Sequence, residues 1–349
     1  MNGENDMLHH TPRSVSRLGL LLFDVILMIF AWFNIESMKE VADLPGEYQL
    51  KVRGLSYNAA NVGPSRTILR IEGDKVDSPD LLRYYLCKHT RGDSVTVTDV
   101  CDNIVSERRI RLVSKYTSSE LAAVIIVGAS FFVFGIYIIV KHSSKPYAGV
   151  LHAVTVGTAL MIVYDWGSLK LYLASFNALR WFIFDVAIWI LPALFLHFSF
   201  KYPNEKRTGY KRYFLTFFYV VSLSGIAVSA YYLVQIFFCG YQIHDTHYLD
   251  IHAQGSDMFL MAGLLCTVAN LEHSALAIQN AYDRKRIYWV LLGISFGPLV
   301  YVFLILVPRT MLQYELVSQT MMQYTLLMAP LMFYLAIRKT PDRKTEQSR

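Results

Sequence analysis

The stretch HDTHYLDIH crowds His244, Asp245, His247, Asp250 and His252 into nine residues, the densest set of metal-capable side chains in the chain. Imidazole nitrogens and carboxylate oxygens hold Zn²⁺, and imidazole also titrates near neutrality. His244, His247 and His252 therefore offer a zinc site or a proton sensor. No fixed ligand motif is matched, and the paired i, i+4 histidines of a HExxH site are absent. A solvated polar loop is the simpler reading.

Four more histidines lie near the ends of apolar runs: His142, His152, His197 and His273. Facing imidazoles on different helices could ligate haem or a metal. No spacing within one run supports that, and an imidazole capping a helix end or meeting a lipid headgroup explains each more simply. Polar groups inside apolar runs are functional candidates by default. Here they are Asp24, Asp185, Glu272, Gln319 and Gln323. The bland reading of each is a hydrogen bond between helices. No acid, base and nucleophile share one depth, so the expectation is a protein that is not an enzyme and carries no cofactor.

One further stretch, LHFSFKYPNEKR (Leu196–Arg207), breaks an apolar run with a histidine, aromatics, a proline and a basic cluster. Aromatic and basic residues anchor a helix at the interface, and Pro203 stops it. Such an exit fixes the depth of its helix, which is useful if a neighbour must move against it.

These residues are positioned by a chain that is 54% hydrophobic and 17% charged, well below the charge of soluble domains. Eight apolar runs are long enough to cross a bilayer: about Leu18–Ile35, Leu121–Val140, Ala148–Tyr164, Trp181–Phe200, Tyr213–Phe238, Met258–Ala277, Ile287–Val307 and Val317–Ile337. With the N-terminus inside, the short inner segments hold seventeen Lys and Arg against three in the short outer loops. The positive-inside rule then places both termini in the cytoplasm. The formal net charge of +6 is mostly this topology signal, and nothing suggests a nucleic-acid groove. Basic clusters at membrane exits also attract anionic lipid, so membrane lipids are expected partners.

The expected organisation is a cytoplasmic tail over 1–17, a signal-anchor helix over 18–38, an extracytoplasmic domain over 39–120, seven helices over 121–339 and a cytoplasmic tail over 340–349. The fold class is a mainly α membrane protein with one small α/β domain between its first and second helices. In that domain YQLKVRGL, SRTILRIEGDKV, DSVTVTDV and ERRIRLV alternate like strands, and SPDLLRYYLCKH starts like a helix, with Ser78 at the cap and Pro79 in the first turn. Cys87 and Cys101 could pair in an oxidising compartment.

Ile68, Ile71, Gly73 and Val76, then Asp80-Leu81, then Gly92, Val95 and Val97 resemble the pattern of a PDZ domain over about 70 residues. The sequence departs from it at Ser65-Arg66, where the family has Gly-Asp. The resemblance implies a groove that captures a peptide as an added strand. Its residues would be Gly54, Leu55, Ser56 and Tyr57 of the GLSYNAANVG stretch, with Leu82 and Tyr85 of the helix.

Phe195 to Pro203 is similar to the helix exit of the seven-helix membrane halves of bacterial sensor histidine kinases. Asn280–Leu299, with Arg286 and Trp289, and Leu326–Lys339, with Pro330, resemble two further pieces of the same halves. Helix, PDZ-like domain and seven helices is the layout of the competence-pheromone sensor kinases of Gram-positive bacteria. The resemblance implies a bacterial cell-membrane location, a homodimer, an extracytoplasmic peptide or small ligand, and a cytoplasmic histidine kinase or response regulator as partner. It makes His197, Phe198, Pro203, Arg286, Trp289 and Pro330 the signal-transmitting residues. After the last run only TPDRKTEQSR follows, without a nucleotide loop or phospho-acceptor box. The expectation is thus the sensor half of a longer chain or a receptor working through a separate partner. A membrane transferase using these histidines and a transporter are the alternatives; no internal repeat supports the latter.

Overall fold

The computed structural model describes residues 12–45, 48–52, 55–57, 66–76, 82, 85–86, 88–102, 104–165, 175–203, 209–238, 247–308 and 324–338. Helices α1 (Pro12–Met38), α2 (Ser118–His142), α3 (Ala148–Asp165), α4 (Ser175–Lys201), α5 (Gly209–Phe238), α6 (His247–Ala277), α7 (Ala281–Ile294) and α8 (Met328–Arg338) fall on the apolar runs, the first part of the last run, 317–323, lying outside the described residues. Six of the described helices are long and apolar enough to cross a membrane, so the chain is a multi-pass membrane protein. The other two apolar helices, Ala148–Tyr164 and Tyr324–Arg338, are shorter. Backbone groups in hydrocarbon must be satisfied within the segment, which is why these runs are helical rather than extended.

Local chemistry sets several ends. Thr117 and Glu120 form a reciprocal cap on α2: Thr117 Oγ1 accepts from the Glu120 amide at 3.3 Å, and Glu120 Oε2 accepts from the Thr117 amide at 2.7 Å. Asn280 caps α7 by accepting from the Tyr282 amide at 2.9 Å. Past α7 the ladder widens into two π-helical turns, Ser295–Leu299 and Val302–Leu306. Pro298 lies in the first, and a residue with no N–H disrupts the α ladder.

The helices alternate in direction, giving the bundle an end next to the sheet domain and a far end. Helix α1 touches it along a narrow stripe. Asp24, Ala31, Asn34, Ile35 and Met38 are buried, whereas Phe23, Ile29, Phe30, Trp32 and Phe33 are exposed. Those spacings keep one face of a 3.6-residue period inward. Asn34 Nδ2 donates to the Val163 carbonyl at 2.9 Å and ties α1 to α3.

Between α1 and α2 the chain forms the expected small sheet domain. Strands β1 (Ala42–Asp43) and β8 (Val113–Ser114) pair at its neck. The main sheet has the order β3 (Leu55–Tyr57), β2 (Tyr48–Val52), β4 (Arg66–Ile71), β6 (Ser94–Cys101), β7 (Ile104–Arg111), with β5 (Asp74–Lys75) on β4. β2 and β4 are parallel and the other pairs antiparallel. The tight β4–β5 turn puts Glu72 and Gly73 at φ 50° and 87°, a left-handed pair of the kind hairpin turns favour. Alternation along β6 points Val95, Val97 and Asp99 inward. Their neighbours include Tyr48, Ile68, Ile71, Leu82 and Ile110. Most of the expected helix around Ser78–His89, with Cys87, lies outside the described residues; Cys101 carries a free thiol.

Asp99 is the buried acid of this domain. Arg66 Nη1 donates to it at 3.0 Å and Ser106 Oγ at 2.7 Å. Burial alone would raise its pKa, but those two bonds and the charges of Arg66 and Arg108 outweigh burial and hold the carboxyl below its usual range. A depressed folded pKa contributes stability that is present above the unfolded value, about 3.9, and is lost as pH falls through the folded value. Hydrogen exchange of β4, β6 and β7, corrected for intrinsic rates, is expected to show opening becoming easier below about pH 4. Asp99→Asn should flatten that dependence.

Candidate functional site

At the far end of the bundle the exit of α4, the start of α7 and the end of α8 meet around one cation. Arg286 is 8% exposed. Its Nε donates to the Ala336 carbonyl of α8 at 2.8 Å, and its Nη1 to Asp283 Oδ1 at 3.3 Å. The guanidinium carbon lies 5.5 Å from the Tyr202 ring centroid and 5.9 Å from that of Tyr282, within cation–π range. Tyr202 Oη donates to the same Ala336 carbonyl at 3.4 Å, and its ring packs edge-on against Tyr147 at 5.1 Å. Phe198, one turn back in α4, meets the rings of Tyr202 at 5.2 Å and Phe333 of α8 at 6.1 Å.

A second polar site lies near the sheet-proximal end, between α4, α5 and α6. His252 Nε2 is 2.8 Å from Asp185 Oδ2, 3.1 Å from Ser229 Oγ and 3.1 Å from Trp189 Nε1. The single Ser229 hydroxyl hydrogen can go either to Asp185 or to the Gly225 carbonyl, both within reach of Oγ. Asp185, Ser229 and Trp189 are buried. The indole can only donate, and one ring nitrogen offers one in-plane position. A bare Nε2 therefore accepts from Trp189, whereas a protonated Nε2 donates to Asp185. The cluster ties α4, α5 and α6 together through one imidazole nitrogen. It is not a hydrolytic triad, in which acid and serine meet opposite nitrogens of the imidazole; here both meet Nε2.

A third pair joins α1 to the bundle. His152 Nδ1 lies 3.0 Å from the Gly135 carbonyl, which only accepts, so that nitrogen carries hydrogen. Its Nε2 then faces Asp24 Oδ1 at 3.4 Å.

These sites absorb some of the expected residues and correct others. Phe198 and Arg286 meet at the junction; Pro203 and Pro330 are buried beside it in sequence. Trp289 is half-buried against the main core. His197 points elsewhere: its Nδ1 is 2.8 Å from Tyr219 Oη of α5. His152 is not at a headgroup, since it is buried. His252 is not in a solvated loop, because α6 begins at His247 and carries its imidazole inward onto Asp185. His244 lies outside the described residues, as does Gly54, and among the described residues no three His, Cys, Asp or Glu form a metal-sized group. Gln319 and Gln323 also lie outside them. Glu272 and His273 are exposed. Leu55, Ser56 and Tyr57 form the edge strand β3; Leu82 is buried and Tyr85 half-buried in the sheet domain's core.

Sequence reasoning missed Tyr147, Ser229 and the Ala336 carbonyl. A serine or tyrosine in an apolar run carries no signal by itself, and a backbone acceptor carries none at all. No family of known proteins, no curated protein and no solved structure matches the chain.

Proposed function

We propose that this chain is the membrane part of a signalling receptor of the bacterial cell membrane, with eight spans and both termini in the cytoplasm. The sheet domain is the PDZ-like outer module that meets a peptide or small ligand, the seven later helices form the sensor bundle, and α8 carries the change to a cytoplasmic histidine kinase or response regulator, attached or separate. One observation carries this reading. The three stretches that resemble sensor-kinase membrane halves, 195–203, 280–299 and 326–339, are the ones that converge on Arg286. Residues far apart in the chain share one clamp, and the clamp closes on the last helix.

The physics suits a switch. Rotation or sliding of α8 must break the Arg286–Ala336 bond and separate the tilted Phe333 and Phe198 rings. Packed helix interfaces are bistable rather than continuously deformable, and a ligand shifts such an equilibrium only by its preference for one arrangement. The protein, tagged at its N-terminus and purified from its native membranes after mild cross-linking, should bring down a histidine kinase or a response regulator, or prove to be part of a longer chain carrying a kinase. Recovery with neither would sink the receptor reading.

A further inference from the structure

Three buried polar groups around the far-end junction make no hydrogen bond of normal geometry among the described residues, although the Tyr147 hydroxyl lies close to the Arg286 guanidinium: Arg286 Nη2, Tyr147 Oη and Tyr282 Oη. Tyr147 is 2% exposed and Arg286 8% exposed. They belong to one cluster, since Tyr147 and Tyr202 touch edge to ring and the guanidinium sits over both Tyr202 and Tyr282. Buried donors left without an acceptor are costly, so a chain that holds three of them together is built around something that accepts.

We propose that this cluster is a binding site for a phosphate-ester anion at the far-end membrane surface, taken by the guanidinium fork of Arg286 and the hydroxyls of Tyr147 and Tyr282. All three orphans can donate, which selects an acceptor. A phosphate has several anionic oxygens and can accept from all three at once. The rim agrees in sign: Lys145, Arg284, Lys285 and Arg338 are exposed beside the junction in sequence. Asp283 neutralises part of the Arg286 charge through Nη1, and leaves Nη2 free to face the ligand. Tyr147 directly precedes α3, Tyr202 directly follows α4, and Arg286 reaches α8. A ligand here would therefore bridge the same helix ends that the junction clamps. Binding stands whether or not the chain signals.

The phosphate can belong to a lipid headgroup or to a soluble phosphate compound, and one experiment separates them. The full chain, purified in detergent and stripped of lipid, is titrated with phosphatidylglycerol, with phosphatidylcholine and with inorganic phosphate, and read by native mass spectrometry. Retention of one phosphatidylglycerol at least about tenfold more tightly than phosphatidylcholine, a difference of about 1.4 kcal/mol, is the lipid result. Retention of inorganic phosphate without lipid selectivity is the soluble result. Either must weaken about tenfold in Arg286→Gln and in Tyr147→Phe. The second variant removes only one hydroxyl, so the fold is kept and the test survives even if Arg286→Gln unfolds. Tyr282→Phe should weaken binding in the same direction. No retained phosphate species, or retention unchanged in the tyrosine variants, overturns the site and leaves ordered water as the partner of these groups.

Discussion

Arg286→Gln is expected to release the end of α8 from the bundle and to lower stability by about 2–3 kcal/mol, the range for losing hydrogen bonds made by a buried charge. Two terms add. The Ala336 carbonyl loses its 2.8 Å donor and keeps, among the described residues, the long bond from Tyr202. Asp283 loses its cation, and the Tyr202 and Tyr282 rings lose the charge above them. Arg286→Lys keeps the charge but not the planar fork, so it should fall between wild type and Gln. Thermal unfolding in detergent checks the order. On the proposed receptor reading, signalling output in cells should fall further than stability does, because the clamp sits on the helix proposed to carry the change. Wild-type stability in Arg286→Gln would mean that the junction is filled by water and holds nothing.

Gly225→Ala should cost a comparable amount through packing. A Cβ at Gly225 would stand 2.2 Å from Cδ2 of the Trp189 indole, where no real Cβ sits. Trp189 is itself 5.7 Å from Phe259 and donates to His252, so it cannot yield without disturbing the polar site behind it. Overpacking of this kind costs about 1–3 kcal/mol. Thermal unfolding reads the effect. A nearly neutral Gly225→Ala would show that α5 does not press on α4 at this point.

The membrane half was legible because hydrocarbon leaves the backbone only one arrangement within a segment, so apolar length alone marks the helices. The six long helices fall on six of the runs read from sequence. The sheet domain was legible because β6 keeps strict alternation through Val95, Val97 and Asp99. Reading His247–His252 as part of a solvated loop failed for a physical reason. Polarity marks where water could be, not where a helix ends, and α6 starts about eleven residues before its apolar run does. His252 then meets Asp185 and Ser229, which stand 67 and 23 residues away in sequence. Pairings that distant leave no local pattern. The junction was half-legible. Arg286 and the aromatic exit of α4 stood out by type, but the acceptor that joins them to α8 is a main-chain oxygen of an alanine.

The central claim is that Arg286 couples the start of α7 to the end of the last helix. Spin labels at the exposed positions Lys285 and Arg338 measure it directly, as a distance distribution in lipid nanodiscs by pulsed electron resonance. The wild-type background should give one narrow distribution, and Arg286→Gln should broaden it and shift it outward as α8 comes free. Superimposable distributions in the two backgrounds would contradict the clamp, and with it the observation on which the receptor reading rests.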